Sequence, residues 1–297
     1  MSFKKPAIII GTTGAISYAS YKTISNKLFN DSFKKRKKEN VVDQEYIDWF
    51  SNSKVEEMTI NSLDGLKLYG YDIHNNDSNK YIIAVHGIWS NSSYMYQYGK
   101  EFDKFGYNFL LVDQRAAGKS QGKYYTYGFK ESFDLLQWID TLIEKYPDVQ
   151  ICLFGVSMGA ATVMMSLKNK LPNNVKCVVE DCGFSSVKEE FDHVLKNDYK
   201  ISFTSIPLQL LEKSMNDTFG INFEDINVKK SLDNNEIPIL FIHGKKDKLV
   251  PYEMSLRLYN HNKGEKKFYS VDEAGHTKAR YEPNYFKNVH EFISTYM

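Results

Sequence analysis

Short, almost unbroken apolar runs constrain the fold of this chain more than any other feature. "YIIAV" (81–85), "NFLLV" (108–112), "QICLF" (150–154), "VKCVV" (175–179) and "IPILFI" (237–242) lack the alternation of a strand with one wet face. A strand that is apolar at nearly every position must be covered on both sides, which points to a parallel sheet between helix layers. Helical periodicity fills the gaps between these runs. It is clearest over 129–145, where Phe129, Phe133, Leu136, Ile139, Leu142 and Ile143 recur at three- and four-residue intervals before Pro147. The alternation predicts a doubly wound α/β domain with its active site at the carboxyl ends of the strands. Ahead of it, "KVEEMTI" and "LKLYGYDI" flank the turn-rich "NSLDG" and predict an antiparallel hairpin.

Residues 184–236 break the alternation, with helical segments such as "KEEFDHVLK" and "IPLQLLEKSM" and no convincing strand. An insertion of that length at the functional edge of a sheet is expected to be a small helical cap, the alternative being two packing helices with no role in access. The α/β body is expected to span 51–297, preceded by a separate segment, 1–50. There, basic "MSFKK" is followed by the uncharged 6–21 stretch and then by Lys34, Lys35, Arg36, Lys37 and Lys38. That layout suits an apolar anchor or signal with a basic linker able to sit on anionic lipid, although the stretch is short for a membrane span; a free leader is the alternative. Counting lysines and arginines would place the body in the cytoplasm, whereas a signal anchor would place it outside.

A formal net charge of +1 gives no reason to expect a nucleic-acid partner. Cys152, Cys177 and Cys182 form no C-x-x-C pair and read as free buried thiols rather than a disulfide. No metal-ligand spacing is visible, so neither a metal nor another cofactor is expected.

Chemistry enters at "LFGVSMGAAT" (153–162), where Ser157 sits between Gly155 and Gly159 directly after an apolar run. Gly-x-Ser-x-Gly alone is a weak signal, and its weight comes from context. A serine hydroxyl needs a base within hydrogen-bond reach, and the base needs an acid that fixes its tautomer. Asp247 follows "IPILFI" within "HGKKDKLVP", and His276 follows "KKFYSV" within "DEAGH". The order Ser157, Asp247, His276 is that of an α/β-hydrolase triad. The backbone amide of Met158 is one expected oxyanion donor, and that of Ile88, in "HGIWSNSS", is the other, with Trp89 as second choice. Trp89 and Tyr127 are expected to line the substrate pocket. Tyr124 and Tyr125 share that role with simple packing. Asp181 is an alternative acid with a structural role favoured, and Asp272 is expected to end a strand. His86 and His243 are expected to hold loops, and Arg115 either pairs with a carboxylate beneath the site or is solvated.

"HGIWSN", "VDQRAAGKSQG", "GVSMGAATVMM", "VVEDCGFSS", "FIHGKKDKLVP" and "EAGH" together resemble the α/β-hydrolase superfamily. The likeness is closer to membrane-bound cell-surface hydrolases of Gram-positive bacteria, related to Bem-type and prolyl-oligopeptidase-like serine hydrolases. It covers about residue 50 to the C-terminus. It implies a mostly parallel central sheet flanked by helices, Ser157, Asp247 and His276 as nucleophile, acid and base, and Ile88 and Met158 at the oxyanion positions. It also implies a membrane-anchored enzyme facing outward, against the charge count. Ala116 and Ala117 depart from the Gly or His usual in the loop near Gly118. The expected activity is hydrolysis of small-molecule carboxylic esters through an acyl-enzyme, because a small capped hydrolase carries no added peptide-binding domain. A peptidase or amidase using the same triad is the alternative, thioester hydrolysis is equally compatible, and a non-catalytic hydrolase-shaped binding protein is the rival from another class.

Overall fold

The computed structural model describes residues 18–36 and 40–297. Each apolar run becomes a strand whose successive side chains point to opposite faces. In β3 and β5, Tyr81, Ile83, Val85, Ile151 and Leu153 join one hydrophobic cluster, whereas Ile82, Ala84, Cys152 and Phe154 join the other. A period of two over a continuous apolar run therefore fills two cores at once.

Helices α1 (Tyr18–Phe33) and α2 (Gln44–Asn52) precede the hairpin β1 (Val55–Asn61) and β2 (Lys67–Ile73). There follow β3 (Lys80–Val85), α3 (Tyr96–Asp103), β4 (Asn108–Asp113), α4 (Phe129–Lys145), β5 (Gln150–Val156), α5 (Met158–Ser166) and β6 (Val175–Asp181). Helices α6 (Val187–Asn197), α7 (Ser205–Phe219) and α8 (Val228–Ser231) separate β6 from β7 (Ile239–Gly244). Helix α9 (Tyr252–His261), β8 (Lys266–Val271) and α10 (Tyr285–Ile293) complete the chain. The sheet order is β1-β2-β4-β3-β5-β6-β7-β8. Pairs β1–β2 and β2–β4 are antiparallel, and the rest are parallel. One face is covered by residues of α1 and of α4 through α9, the other by α2, α3 and α10. Burying one leucine such as Leu153 in these layers contributes roughly 1.5–3 kcal/mol. All three cysteines are free and buried.

The expected division at residue 50 is not a break in packing. Helix α1 buries Tyr21, Ile24, Leu28, Phe29 and Phe33 against α7, and Ser25 Oγ donates to the Pro207 carbonyl at 2.8 Å. From there the chain is strapped onto the body: Tyr125 N–H donates to Phe33 O at 2.7 Å and Lys35 N–H to Lys123 O at 2.9 Å. Arg36, expected in a basic linker, lies 3.5 Å over the Trp89 ring. On α2, Trp49 meets Phe109 edge-on and Phe50 stacks on Tyr96. The physical reason is that Tyr21, Ile24, Leu28, Phe29, Phe33, Trp49 and Phe50 find partners far along the sequence. Among the described residues no helix is long and apolar enough to cross a membrane. Residues 6–17 of the expected anchor, with Lys37 and Lys38, lie outside the described residues.

Candidate active site

Ser157 stands between the end of β5 and the start of α5, with φ +57° and ψ −118°. A side chain rarely adopts this backbone state, and holding it costs on the order of 1–3 kcal/mol. The flanking glycines explain how the turn is accommodated. A Cβ at Gly155 would lie 2.3 Å from the Gly159 carbonyl oxygen, and one at Gly159 would lie 2.1 Å from that of Val85. Neither atom can move without shifting the sheet or the helix. The turn is further held by the Ser157 N–H, which donates to Asp181 O at 2.8 Å.

The strand ends bring three distant side chains into one hydrogen-bonded chain. Ser157 Oγ is 2.9 Å from His276 Nε2, and His276 Nδ1 is 2.7 Å from Asp247 Oδ2. With Asp247 ionised, Nδ1 carries the proton and donates, which leaves Nε2 to accept from the serine hydroxyl. The other Asp247 oxygen, Oδ1, accepts from the amides of Leu249 and Val250 at 2.9 and 3.0 Å. Burial pushes the Asp247 carboxyl up, but hydrogen bonds from His243 and His276 outweigh it and hold the group well below the usual carboxylate range. His243 Nε2 donates to Val250 O at 2.9 Å and lies 3.3 Å from Asp247 Oδ2, so it braces the Asp247 loop.

A cavity of about 450 Å³, including the solvent at its mouth, opens beside Ser157. Ile88, Trp89, Tyr127 and Met158 line it, and among the described residues no hydrogen bond uses the N–H of Ile88 or Met158. Tyr127, at φ +52°, is aimed by a turn in which Glu131 accepts from the amides of Thr126 and Gly128 at 2.7 and 3.0 Å. Tyr124 instead packs on Phe29 and Phe219, and Tyr125 is buried with Trp89, Ala116, Ala117 and Met158.

The remaining candidates sort by their partners. Asp181 accepts from the Tyr285 hydroxyl at 2.7 Å and makes no bond to His276. Asp272 pairs with Lys245. Arg115 is buried in a two-pronged contact with Asp134 at 2.8 Å and also reaches Asp64. His86 Nε2 accepts from the Gln114 N–H at 3.1 Å, which makes its Nδ1 the donor to Gly87 O at 2.7 Å. Gln114, not anticipated from sequence, also donates to His86 O at 2.6 Å and accepts from Thr162 Oγ1 at 3.0 Å. It thereby ties the loop after β3 to α5. Nothing in its sequence context distinguishes it from a loop glutamine. Glu190 and Ser32 also line the cavity unanticipated.

Cys182, Asp247 and His276 offer ligand atoms within 4.8 Å of one another. Asp247 and His276 are committed to each other, and burial pushes the Cys182 thiol well up, so the cluster suits a protonated thiol better than a metal ion.

Residues 76–213 match the family model Hydrolase_4, described as serine aminopeptidase, S33. YqkD of Bacillus subtilis, an uncharacterised protein, is 29% identical over 240 residues, covering 79% of this chain and 77% of its own. Protein bem46 of Schizosaccharomyces pombe is 23% identical over 190 residues, covering 63% of this chain and 58% of its own. The esterase Pf2001 of Pyrococcus furiosus superposes with a TM-score of 0.72 at 26% identity, over 90% of this chain and 98% of the esterase. The chain has the α/β-hydrolase fold and is a relative of YqkD, bem46 and the Pf2001 esterase.

Proposed function

We propose that the protein is a serine hydrolase that cleaves carboxylic esters. The observation that carries this reading is the continuous chain from Asp247 through His276 to Ser157, with both links at hydrogen-bond length. As the serine oxygen attacks the ester carbonyl, His276 Nε2 takes its proton and then delivers it to the departing alcohol. Asp247 stays ionised and stabilises the imidazolium. The amides of Ile88 and Met158 stabilise the oxyanion, a role in which one donor contributes about 10²–10³ in rate. Water activated by the same histidine then releases the acid from Ser157. Likeness to the Pf2001 esterase supports the choice of ester. The helices between β6 and β7 serve as the cap over the site.

The family description, serine aminopeptidase, favours a second reading in which the same residues cleave amides. Turnover of matched nitrophenyl esters and nitroanilides separates the two. The ester reading expects ester turnover far above anilide turnover and its loss in Ser157→Ala. Comparable anilide turnover would favour the amidase, and full ester activity in Ser157→Ala would remove both. Anchoring at a membrane, facing outward, rests on the uncharged 6–21 stretch together with the resemblance to membrane-bound hydrolases. Sedimentation of the full chain with anionic vesicles tests association and fails the anchor if the protein stays in the supernatant.

A further inference from the structure

Helix α6 presents Val187, Glu190, Phe191, Val194 and Leu195 on its buried face. That is the spacing of an apolar stripe, and one member is an acid. Glu190 is 6% exposed, lines the cavity that holds Ser157, and its Oε2 has no hydrogen-bond partner among the described residues. A buried carboxyl left unpaired is destabilising, and an apolar residue of similar size there would be neutral or stabilising. The chain carries the cost in a cavity that adjoins Ser157, where an incoming molecule can supply the missing partner.

We propose that Glu190 is a specificity residue that hydrogen-bonds a hydroxyl group on the acyl part of the substrate. The proposal rests on Ser157 being the nucleophile. Around the carboxyl the walls are apolar: Tyr127, Phe184, Phe191 and Val194. Burial, with the neighbouring charges of Asp247 and Asp198, pushes the Glu190 carboxyl well up and so favours its protonated form. It then offers one O–H donor and a carbonyl acceptor, which is the complement of a hydroxyl group. An anionic substituent would meet the Asp247 charge. A cationic one would approach the Arg36 guanidinium, which lies over Trp89 on the same cavity. A neutral polar group avoids both. The acyl part is the part concerned because it stays on Ser157 after the alcohol leaves, and the enclosed side of the cavity can hold it through deacylation.

The test compares kcat/KM for p-nitrophenyl butyrate, 3-hydroxybutyrate and 3-aminobutyrate in the wild type, Glu190→Gln and Glu190→Leu, with Ser157→Ala as control. The wild type is expected to favour the hydroxy ester over butyrate by ~10-fold or more, because a built hydrogen-bonding site discriminates against an analogue that leaves it unpaired. Glu190→Gln, which can still donate and accept, should retain most of that preference. Glu190→Leu should lose it, favour plain butyrate, and unfold about 2–4 °C higher. Equal rates for the two esters in the wild type, a preference that survives in Glu190→Leu, or a faster amino ester would overturn the proposal. So would a lowered melting temperature in Glu190→Leu, which would make the carboxyl structural. Wild type inactive on every ester, or Ser157→Ala as active as wild type, would instead remove the nucleophile reading beneath it.

Discussion

Replacing Ser157 by glycine should stabilise the protein relative to replacing it by alanine. Both substitutions delete the hydroxyl and its bond to His276, so that loss cancels in the comparison. Alanine keeps a Cβ on a backbone held at φ +57°, ψ −118°, whereas glycine occupies that region freely. Strain of this kind costs on the order of 1–3 kcal/mol. Glycine gives back roughly 0.5–1 kcal/mol through the greater freedom of its unfolded chain. The net advantage of Ser157→Gly over Ser157→Ala is therefore about 1 kcal/mol, or a melting temperature about 2 °C higher. Denaturant unfolding of the two variants side by side, read by fluorescence, measures the difference directly. Neither should hydrolyse esters. If Ser157→Gly is equal to or less stable than Ser157→Ala, the turn is not strained and the account of the flanking glycines loses its basis.

Gly159→Ala would press a methyl group against the Val85 carbonyl, 2.1 Å away, and should destabilise the fold by about 3 kcal/mol, seen as a lower denaturant midpoint. Asp247→Asn should lower kcat about 10³–10⁴-fold with little change in KM, because the imidazole loses the anion that sets its tautomer; steady-state kinetics on a nitrophenyl ester checks this. Burial raises the Glu180 carboxyl to about 7, while the unfolded group titrates at about 4.3. Between those values the folded state binds more protons, so stability falls as pH rises, by about 4 kcal/mol in all from this group. Glu180→Gln keeps acceptors and donors for Gly183 and Ser255 and should remove that decline; urea unfolding at pH 5 and pH 8 would show it, and parallel declines in both proteins would contradict it.

The strands were legible because burial on both faces leaves a local mark, an apolar run with nothing polar in alternation. Helix α4 was equally plain, with a long periodic stripe and Pro147 just past its end. Ser157, Asp247 and His276 could be singled out because each follows a strand, and a parallel sheet carries all its strand ends to one edge. What failed to show was any feature whose partner lies far along the chain. Helix α1 mixes serines, threonine and asparagines among its apolar residues, and distant rings on α6 and α7, with Tyr124 and Tyr127, make Phe29 and Phe33 core residues. Its sequence therefore looked like a leader running into a basic linker. Arg36 read as part of that basic linker for the same reason, its partner Trp89 being in the loop after β3. Glu190 left a faint mark, an acid on an apolar stripe, but one mismatch in a short amphipathic helix is ordinary until the cavity beside it is seen.

The central claim is that Ser157 is an activated nucleophile, and covalent capture tests it most directly. Folded wild-type protein treated with a fluorophosphonate should gain the mass of a single phosphonyl adduct, mapped by peptide sequencing to Ser157, with parallel loss of esterase activity. Ser157→Ala should gain nothing. Wild type that stays unlabelled, or an adduct that forms equally in Ser157→Ala, would contradict the account.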